Sequence, residues 1–393
     1  EVREKIFEIA FNRFNENRIS IFQQQFREFC KEEDYWLHDY ALYVYLKQKF
    51  SGKAWFQWPA VFKNRDQQTL HDVATAHQDE LDKIKFLQFI FFKQWHELKF
   101  HANQEGVKII GDMPIYVSYD SVDVWANPKV FRLDEVGNAL GVAGVPPDAF
   151  SETGQLWGMP VFDWDFLKLT GYEWWKQRLK KNMVVYDLVR LDHFRAFSSY
   201  WEVPATEKTA INGEWKDGPG EDFFHEIKSA FGKLPFIAED LGDIDDKVYS
   251  LRDAFQLSGM KVLQFAFGEN LPATIHAPHN FNKNFIVYTG THDNNTTLGW
   301  FRTEIDRKTK MRLSLYTGKR VSEKNVNEVM IREAYASVAN ICIIPMQDLL
   351  NLDEIARINK PASIEGNWRW RMNENYSRRV RYLRGLTKVF NRL

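Results

Sequence analysis

The sequence predicts an α/β fold, a (β/α)8 barrel whose parallel strands form the core and whose helices cover them. Short apolar runs rich in strand-forming residues alternate with segments long enough for a helix. Four of these runs are followed by an acidic residue: Asp112, Asp192, Glu239 and Asp293. The last three are 47 and 54 residues apart, about one strand, loop and helix each. Because the C-terminal ends of barrel strands share one face, we expect these carboxylates to meet in one pocket.

Residues 1–104 are predicted to form a mainly helical segment. Apolar residues recur at helical spacing over residues 2–50, with a break near 30–34. A long helix is predicted over 79–103, because its apolar side chains fall on one face. The barrel strands are predicted to follow within residues 105–393.

Six strands are predicted, and all are short and poor in period-two alternation. This pattern is typical of strands buried on both faces, as in a parallel barrel. A barrel of this type has eight strands, so two strands are missing from this set. The predicted strands are 107–110, 188–191, 236–238, 261–267, 285–289 and 340–345.

A long Gly- and Pro-rich segment, about 126–164, leaves the first predicted strand at its C-terminal end. Long loops inside compact domains are usually functional. We predict that this segment is a lid loop over the site, with 141–158 as its central part. Trp174 and Trp175, on a predicted helix after the lid, are expected to be core residues.

Composition excludes several function classes. The chain has 52 Lys and Arg against 53 Asp and Glu, so no basic surface for nucleic acid is expected. No stretch approaches the roughly 18 apolar residues of a membrane span, and the N-terminal pattern lacks a signal-peptide core. Cys30 and Cys342 are far apart in apolar settings, which favours buried thiols and a cytoplasmic protein.

Arg190 and Asp192 are two residues apart on a predicted strand, so their side chains point to the same side. A guanidinium beside a carboxylate keeps it ionised, as a nucleophile or a charge stabiliser requires. A structural salt bridge inside the barrel would give the same pattern, and this motif alone does not separate the two interpretations.

The other two acidic motifs carry similar alternatives. Glu239 and Asp240 are adjacent and point to opposite faces, so one can face the barrel centre while the other caps the next helix. Near an ionised Asp192, Glu239 would stay protonated and serve as a general acid. His292 and Asp293 end another strand, where a simple helix cap is the alternative. Three such motifs on consecutive strands favour a catalytic site.

No metal or cofactor is expected. The ten histidines form no His-x-x-x-His or Cys/His cluster. The glycines form neither a dinucleotide fingerprint nor a phosphate-binding loop.

Seven segments, taken together and in order, resemble the 4-α-glucanotransferases called amylomaltases or disproportionating enzymes, glycoside hydrolase family 77. The resemblance covers about residues 35–371 and rests on IIGDMPIYV, AGVPPDAFSETGQLWGMPVFDW, VRLDHFRAF, IAEDLG, GMKVLQFAF, YTGTHDN and QDLL followed by ARINKPASIEGNWRWR.

The resemblance implies a TIM-type barrel of the α-amylase clan that transfers α-1,4-glucan by a retaining double displacement. It implies maltooligosaccharides and other α-glucans of starch, glycogen or maltose metabolism as substrates. Asp192 matches the nucleophile, Glu239 the acid/base and Asp293 the transition-state stabiliser. The residues that it implies for substrate binding are Asp112, Arg190, His292 and Asn359. Phe150, Gln155 and Trp157 of the lid segment are further candidates for substrate binding, and the alternative for the two aromatic residues is that they merely anchor the loop to the barrel.

The chain departs from the family in two places. The first predicted strand resembles the third strand of the family's barrel, and the family's N-terminal part has no match, so we expect the first two strands to lie upstream of Glu1. Longer members with a similar opening stretch carry starch-binding modules upstream, so such modules are possible here. Ala149 stands where many bacterial members have a Tyr thought to stack on the acceptor sugar, although Phe150 and Trp157 could supply a platform.

Two other functions stay open on the sequence alone. The same carboxylates would serve an α-glucan hydrolase of the α-amylase type. A non-catalytic glycan-binding fragment is the other alternative, although the presence of all three acids disfavours it.

Overall fold

The structure, a computed structural model, describes residues 2–16, 20–147, 151–361, 363, 365–373 and 376–392. The chain divides into two compact units, Glu1–Phe236 and Ile237–Leu393. Among the described residues, no helix is long and apolar enough to cross a bilayer.

Helices dominate the beginning of the first unit. The long helix α6 matches the helix predicted over 79–103, and the predicted break near 30–34 falls at Glu33, between α2 and α3. The helices of this unit are α1 Val2–Glu16, α2 Ile21–Glu32, α3 Asp34–Lys49, α4 Ala60–Lys63, α5 Gln67–Ala76, α6 Gln78–Gln104, α7 Val122–Ala126, α8 Trp164–Leu169, α9 Glu173–Val185 and α10 Gly220–Phe231.

Phenylalanine side chains hold α1, α2 and α6 together in a core of their own. The rings of Phe14 and Phe86 lie 4.6 Å apart, centroid to centroid. Burial of such rings is among the larger single contributions to helix packing. The buried members are Phe11, Phe14, Phe26, Phe86 and Phe89.

The strands of the first unit form a parallel pair and an antiparallel sheet. Strands β1 and β4 pair in parallel, with Asp112 opposite Arg190. The antiparallel sheet has the order β3-β2-β5-β6. The strands are β1 Ile110–Met113, β2 Gly141–Val145, β3 Gln155–Pro160, β4 Leu188–Leu191, β5 Ser199–Pro204 and β6 Glu214–Asp217, with β7 Phe236–Ala238 at the boundary of the two units.

The second unit contains three parallel strands in the order β10-β9-β8. Val287 of β9 is completely buried, and the core around it also includes Leu263, Leu313 and Met330. The elements are α11 Asp246–Ala254, β8 Gly259–Val262, β9 Phe285–Tyr288, α12 Thr297–Thr303, α13 Arg307–Thr317, α14 Val326–Ala336, β10 Ile341–Ile343, α15 Met346–Leu350 and α16 Ser377–Val389.

The parallel strands were predicted with unequal precision. Strands β4 and β7 have the predicted bounds, and β9 and β10 differ from theirs by one or two residues. The prediction of 107–110 was wrong for most of its length, because β1 begins only at Ile110. The prediction of 261–267 was wrong after Val262, where the chain turns into a 3-10 helix.

Candidate active site

Asp112, Arg190 and Asp192 form one charged group at the ends of β1 and β4. Arg190 Nη1 donates to both carboxylate oxygens of Asp112, at 2.7 and 2.9 Å, and to Asp192 Oδ1 at 2.7 Å. Arg190 is only 7% exposed, whereas the Asp192 side chain is 40% exposed. A buried cation therefore holds a carboxylate that a substrate can reach. The salt bridge considered from the sequence is present and leaves that carboxylate accessible.

The residue after Asp192 links this group to the antiparallel sheet. His193 has a left-handed backbone, with φ of 50°, and its ring lies edge to face with Trp157 of β3, 4.9 Å between centroids. Trp157 Nε1 donates to Gln155 Oε1 at 3.2 Å. Burial lowers the pKa of His193 to about 4, although the Asp192 carboxylate acts in the opposite direction. The structure thus places Gln155 and Trp157 beside the Asp192 turn.

The predicted lid loop is partly regular structure. The segment over 126–164 contains β2 and β3, which pair with each other, so its description as a loop was wrong for these residues. Glycines and a β-bulge in β2 hide the alternation by which a strand is recognised. Ala149 and Phe150, the two residues considered for acceptor stacking, lie outside the described residues.

Glu239 directly follows β7 and is 9% exposed, and its Oε1 accepts from Leu241 N at 3.2 Å. Its neighbour Asp240 is buried and accepts from Met260 N at 2.7 Å and from the Arg252 guanidinium. The suggestion that Asp240 caps the next helix was therefore wrong, because Asp245 caps α11. Burial raises the pKa of Asp240, against the opposing effects of its two partners.

The turn after β9 carries His292 and Asp293. Asn359 Nδ2 donates to Asp293 Oδ1 at 2.6 Å, and Arg357 Nη2 donates to the Asp293 carbonyl at 2.7 Å. His292 Nε2 lies 3.3 Å from Asp293 Oδ2. The structure thus brings together three predicted residues, His292, Asp293 and Asn359. Arg357 was missed, although it lies in the same ARINKP segment as Asn359.

Two further side chains of this region were also missed. Asp348 is 1% exposed and accepts from Thr297 N at 2.7 Å and from the Thr289 hydroxyl, which brackets the turn that carries Asp293. Trp368 lies 5.4 Å from the His292 ring, has φ of 60° and is 59% exposed. Asp348 belongs to QDLL and Trp368 to GNWRWR, two of the segments that carry the family resemblance. That resemblance was the signal that could have pointed to them.

Asp192 belongs to the first unit, and Glu239 and Asp293 belong to the second. That the three carboxylates meet in one pocket stays a prediction. Within the described part of the chain, no three His, Cys, Asp or Glu side chains are grouped so as to hold a metal ion.

Comparisons with known proteins agree with one another. The model of glycoside hydrolase family 77, described as 4-alpha-glucanotransferase, matches residues 1–377. The 4-alpha-glucanotransferase of Aquifex aeolicus is 43% identical over 392 residues, which is 100% of this chain and 79% of that protein. That of Streptococcus pneumoniae is 46% identical over 353 residues, 90% of this chain and 70% of that protein.

A solved structure, the amylomaltase from Streptococcus agalactiae in complex with acarbose, matches with a TM-score of 0.95 and 37% identity. The match covers 99% of this chain and 78% of that one. It confirms the predicted fold class, the (β/α)8 barrel of the α-amylase clan. The chain belongs to the 4-alpha-glucanotransferases of glycoside hydrolase family 77.

Proposed function

We propose that this transglycosidase moves α-1,4-glucan units from a maltooligosaccharide to a glucan acceptor by a retaining double displacement. Asp192 is the nucleophile, Glu239 the acid/base and Asp293 the stabiliser of the transition state. The observation that carries the proposal is the exposed Asp192 carboxylate held by the buried Arg190 guanidinium. The printed names of the relatives support the reaction, and the acarbose complex of the Streptococcus agalactiae amylomaltase supports an α-glucan as substrate.

In the first step, an Asp192 oxygen attacks the anomeric carbon while the glycosidic bond breaks. The proton of Glu239 passes to the departing sugar oxygen, and a covalent glucosyl ester remains on Asp192. In the second step, Glu239 removes the proton from the acceptor 4-hydroxyl, and that oxygen attacks the anomeric carbon. The ester bond breaks, and the α configuration is restored by two inversions.

Arg190 serves this chemistry by placing a cation beside the Asp192 carboxylate and by fixing one of its oxygens. The contact at 2.7 Å also limits rotation of the side chain, so the second oxygen points in a defined direction. Asp112, bound by the same guanidinium, is proposed to bind sugar on the donor side.

His292, Asp293 and Asn359 are proposed to bind the hydroxyls of the donor sugar. Asn359 fixes one oxygen of Asp293, so the other is oriented toward a ligand or toward His292. Hydrogen bonds to sugar hydroxyls that strengthen as charge develops lower the barrier. Trp157 is proposed to stack on a sugar ring and Gln155 to bind its hydroxyls, which would help to exclude water from the ester.

The test is incubation with maltotriose followed by sizing of the products. We expect a ladder of longer and shorter maltooligosaccharides. Release of only glucose and maltose would contradict transfer and favour the hydrolase.

The Asp192→Asn variant tests the nucleophile. We expect transfer to fall by about 10⁴-fold or more, the order found when a covalent nucleophile is removed, while glucan binding measured by calorimetry persists. Asp165→Asn, an exposed residue of α8, is the control and should keep full activity. Substantial transfer by Asp192→Asn would contradict the assignment.

A further inference from the structure

Arg357 joins the two segments that carry Asp293 and Asn359. Its Nη2 donates to the Asp293 carbonyl at 2.7 Å, and its Nε donates to the Asn359 carbonyl at 2.8 Å. The side chains of these two residues also bond to each other, since Asn359 Nδ2 donates to Asp293 Oδ1 at 2.6 Å. Arg357 and Asp293 are 64 residues apart in the sequence, so the three hydrogen bonds close a ring between distant segments.

Both segments are irregular. Residues 291–296, between β9 and α12, and residues 357–360, after the 3-10 helix Glu354–Ala356, belong to neither a helix nor a strand. A strand ladder therefore does not set the spacing between Asp293 and Asn359. That spacing depends on side-chain contacts, and the Arg357 guanidinium supplies two of them.

The two bonds of Arg357 make use of the shape of a guanidinium. Its nitrogens lie in one plane and present N–H donors in fixed directions, so one side chain can reach two carbonyls at once. A lysine ammonium keeps the charge but lacks this planar arrangement. Both acceptors are backbone carbonyls, so neither bond uses the Asp293 carboxylate.

Glu304, the residue after α12, links the guanidinium to the same turn. Its Oε1 lies 3.8 Å from Arg357 Nη1 and accepts from Asn295 Nδ2 at 2.8 Å. Asn295 is 7% exposed, and its carbonyl accepts from Gln264 Nε2 at 2.9 Å. The turn is therefore held at Asp293 and again at Asn295, and Glu304 connects the two points.

We propose that Arg357 is a positioning residue for the transfer reaction and that Glu304 orients its guanidinium. Arg357 sets the spacing of Asp293 and Asn359 so that both bind hydroxyls of one donor sugar, and it touches no reacting atom itself. The inference rests on the proposed function, which assigns these two residues to that sugar. A displacement of about 1 Å in such a site can lower a rate about a hundredfold.

The test compares the steady-state kinetics of maltotriose consumption by the wild type, Arg357→Lys and Arg357→Ala. We expect kcat to fall about tenfold in Arg357→Lys and about a hundredfold in Arg357→Ala. KM should change by less than about threefold, because hydrogen bonds that strengthen in the transition state act on kcat. Millimolar guanidinium chloride should restore part of the kcat of Arg357→Ala, whereas the same concentration of sodium chloride should not.

Glu304→Gln tests the second part of the proposal. Glutamine keeps an acceptor for Asn295 but loses the charge that faces Arg357. Because a partly exposed ion pair contributes little, kcat should fall only about two- to fivefold. An unchanged kcat in Glu304→Gln would remove Glu304 from the proposal.

Arg392→Ala is the matched control. Arg392 also donates to backbone carbonyls, those of Tyr335 at 2.8 Å and Ala339 at 2.9 Å, which lie at the end of α14 and before β10. Its removal should lower the midpoint of urea unfolding and leave the kcat of the folded protein unchanged. Near-ultraviolet circular dichroism verifies that each variant is folded.

Three results would overturn the role of Arg357. The first is a kcat of Arg357→Lys within about twofold of the wild type. The second is an equal fall of kcat in Arg392→Ala, because lost stability would then be the cause. The third is a kcat of Arg357→Ala that guanidinium does not raise, which would leave Arg357 with a structural role only.

The wild type separates this inference from the proposed function. If it consumed maltotriose without forming longer products, transfer would be contradicted, and the ratio of kcat between variant and wild type would still test Arg357. If the wild type consumed no maltotriose, both the proposed function and the role of Arg357 would be overturned.

Discussion

Arg190 connects two carboxylates that belong to different strands. Its Nη1 atom bonds to Asp112 of β1 and to Asp192 at the end of β4. A lysine carries the same charge but lacks the planar arrangement of donors that a guanidinium provides. The single side chain thus fixes the direction of the proposed nucleophile and ties it to Asp112.

His193 should make the stability of the protein depend on pH. Its pKa is about 4 in the folded chain against an ordinary value of 6.5. Below pH 6.5 the unfolded chain binds a proton that the folded chain does not, so the free energy of unfolding falls as the pH decreases toward 4. Because His193 keeps some contact with solvent, the expected loss from pH 7.5 to pH 5 is about 1–2 kcal/mol.

Urea unfolding of the wild type and of His193→Asn at these two pH values measures the effect. Asparagine accepts the left-handed backbone of this position better than most residues. The variant should lose less stability on acidification than the wild type by the amount given above. The same loss in both proteins would show that protonation of His193 is not the cause of the pH dependence.

The parallel strands could be predicted where an apolar run and the hydrogen-bonded segment coincide. Phe236–Ala238 is such a case, since all of its residues are buried. In β1 the apolar run, 107–110, and the hydrogen-bonded segment differ. Pairing with Leu188–Leu191 places the strand over Ile110–Met113, while Val107 stays 56% exposed. Strand bounds that depend on a partner distant in sequence cannot be read from local composition.

The antiparallel sheet was not predicted for the same physical reason. Strand β2 pairs with β5, and Gly141 lies opposite Pro204. Such pairing is set by contacts between segments that are far apart in the chain, and glycines weaken the local signal. The site shows the same limit. Asp293 and Asn359 were predicted, whereas Arg357 and Asp348, which lie far from Asp293 in the sequence and contact its turn, were not.

Gly111 should tolerate no side chain. A Cβ atom there would lie 2.1 Å from the ring of Tyr186, which packs edge to face with Trp95 at 5.9 Å. Gly111→Ala should lower the free energy of unfolding by about 2 kcal/mol, the usual cost of overpacking. It should also reduce transfer, because Asp112, which binds Arg190, is the next residue of β1.

Urea unfolding and the maltotriose assay measure the two effects of Gly111→Ala. Gly268→Ala is the matched control, because no atom lies within 4 Å of the corresponding Cβ position. If Gly111→Ala were as stable as this control, the close packing of Tyr186 on β1 would be contradicted.

Asp348 should stabilise the turn that carries Asp293. Its carboxylate binds Thr289 at the end of β9 and Thr297 at the start of α12. Asp348→Ala leaves buried donors without acceptors and should cost about 3 kcal/mol. Asp348→Asn keeps one acceptor oxygen and should cost less. Chemical denaturation of both variants provides the comparison, and equal stability of Asp348→Ala and the wild type would show that the contacts contribute nothing.

The proposed catalytic residues are divided between the two units of the chain. Asp192 lies in Glu1–Phe236, and Glu239 and Asp293 lie in Ile237–Leu393. The predicted boundary near residue 104 concerns a different property, the change from helices to barrel strands, and stays a prediction. On the proposed mechanism, each unit supplies part of the chemistry.

Covalent trapping of the sugar tests the proposed mechanism most directly. In Glu239→Gln, α-maltosyl fluoride can still react, because fluoride leaves without a proton, whereas the ester then lacks the base for its release. Peptide mass spectrometry should find the maltosyl group on Asp192 of this variant. The double variant Glu239→Gln/Asp192→Asn should form no adduct. An adduct on another carboxylate, or transfer without an adduct and with an inverted anomeric product, would contradict the double displacement at Asp192.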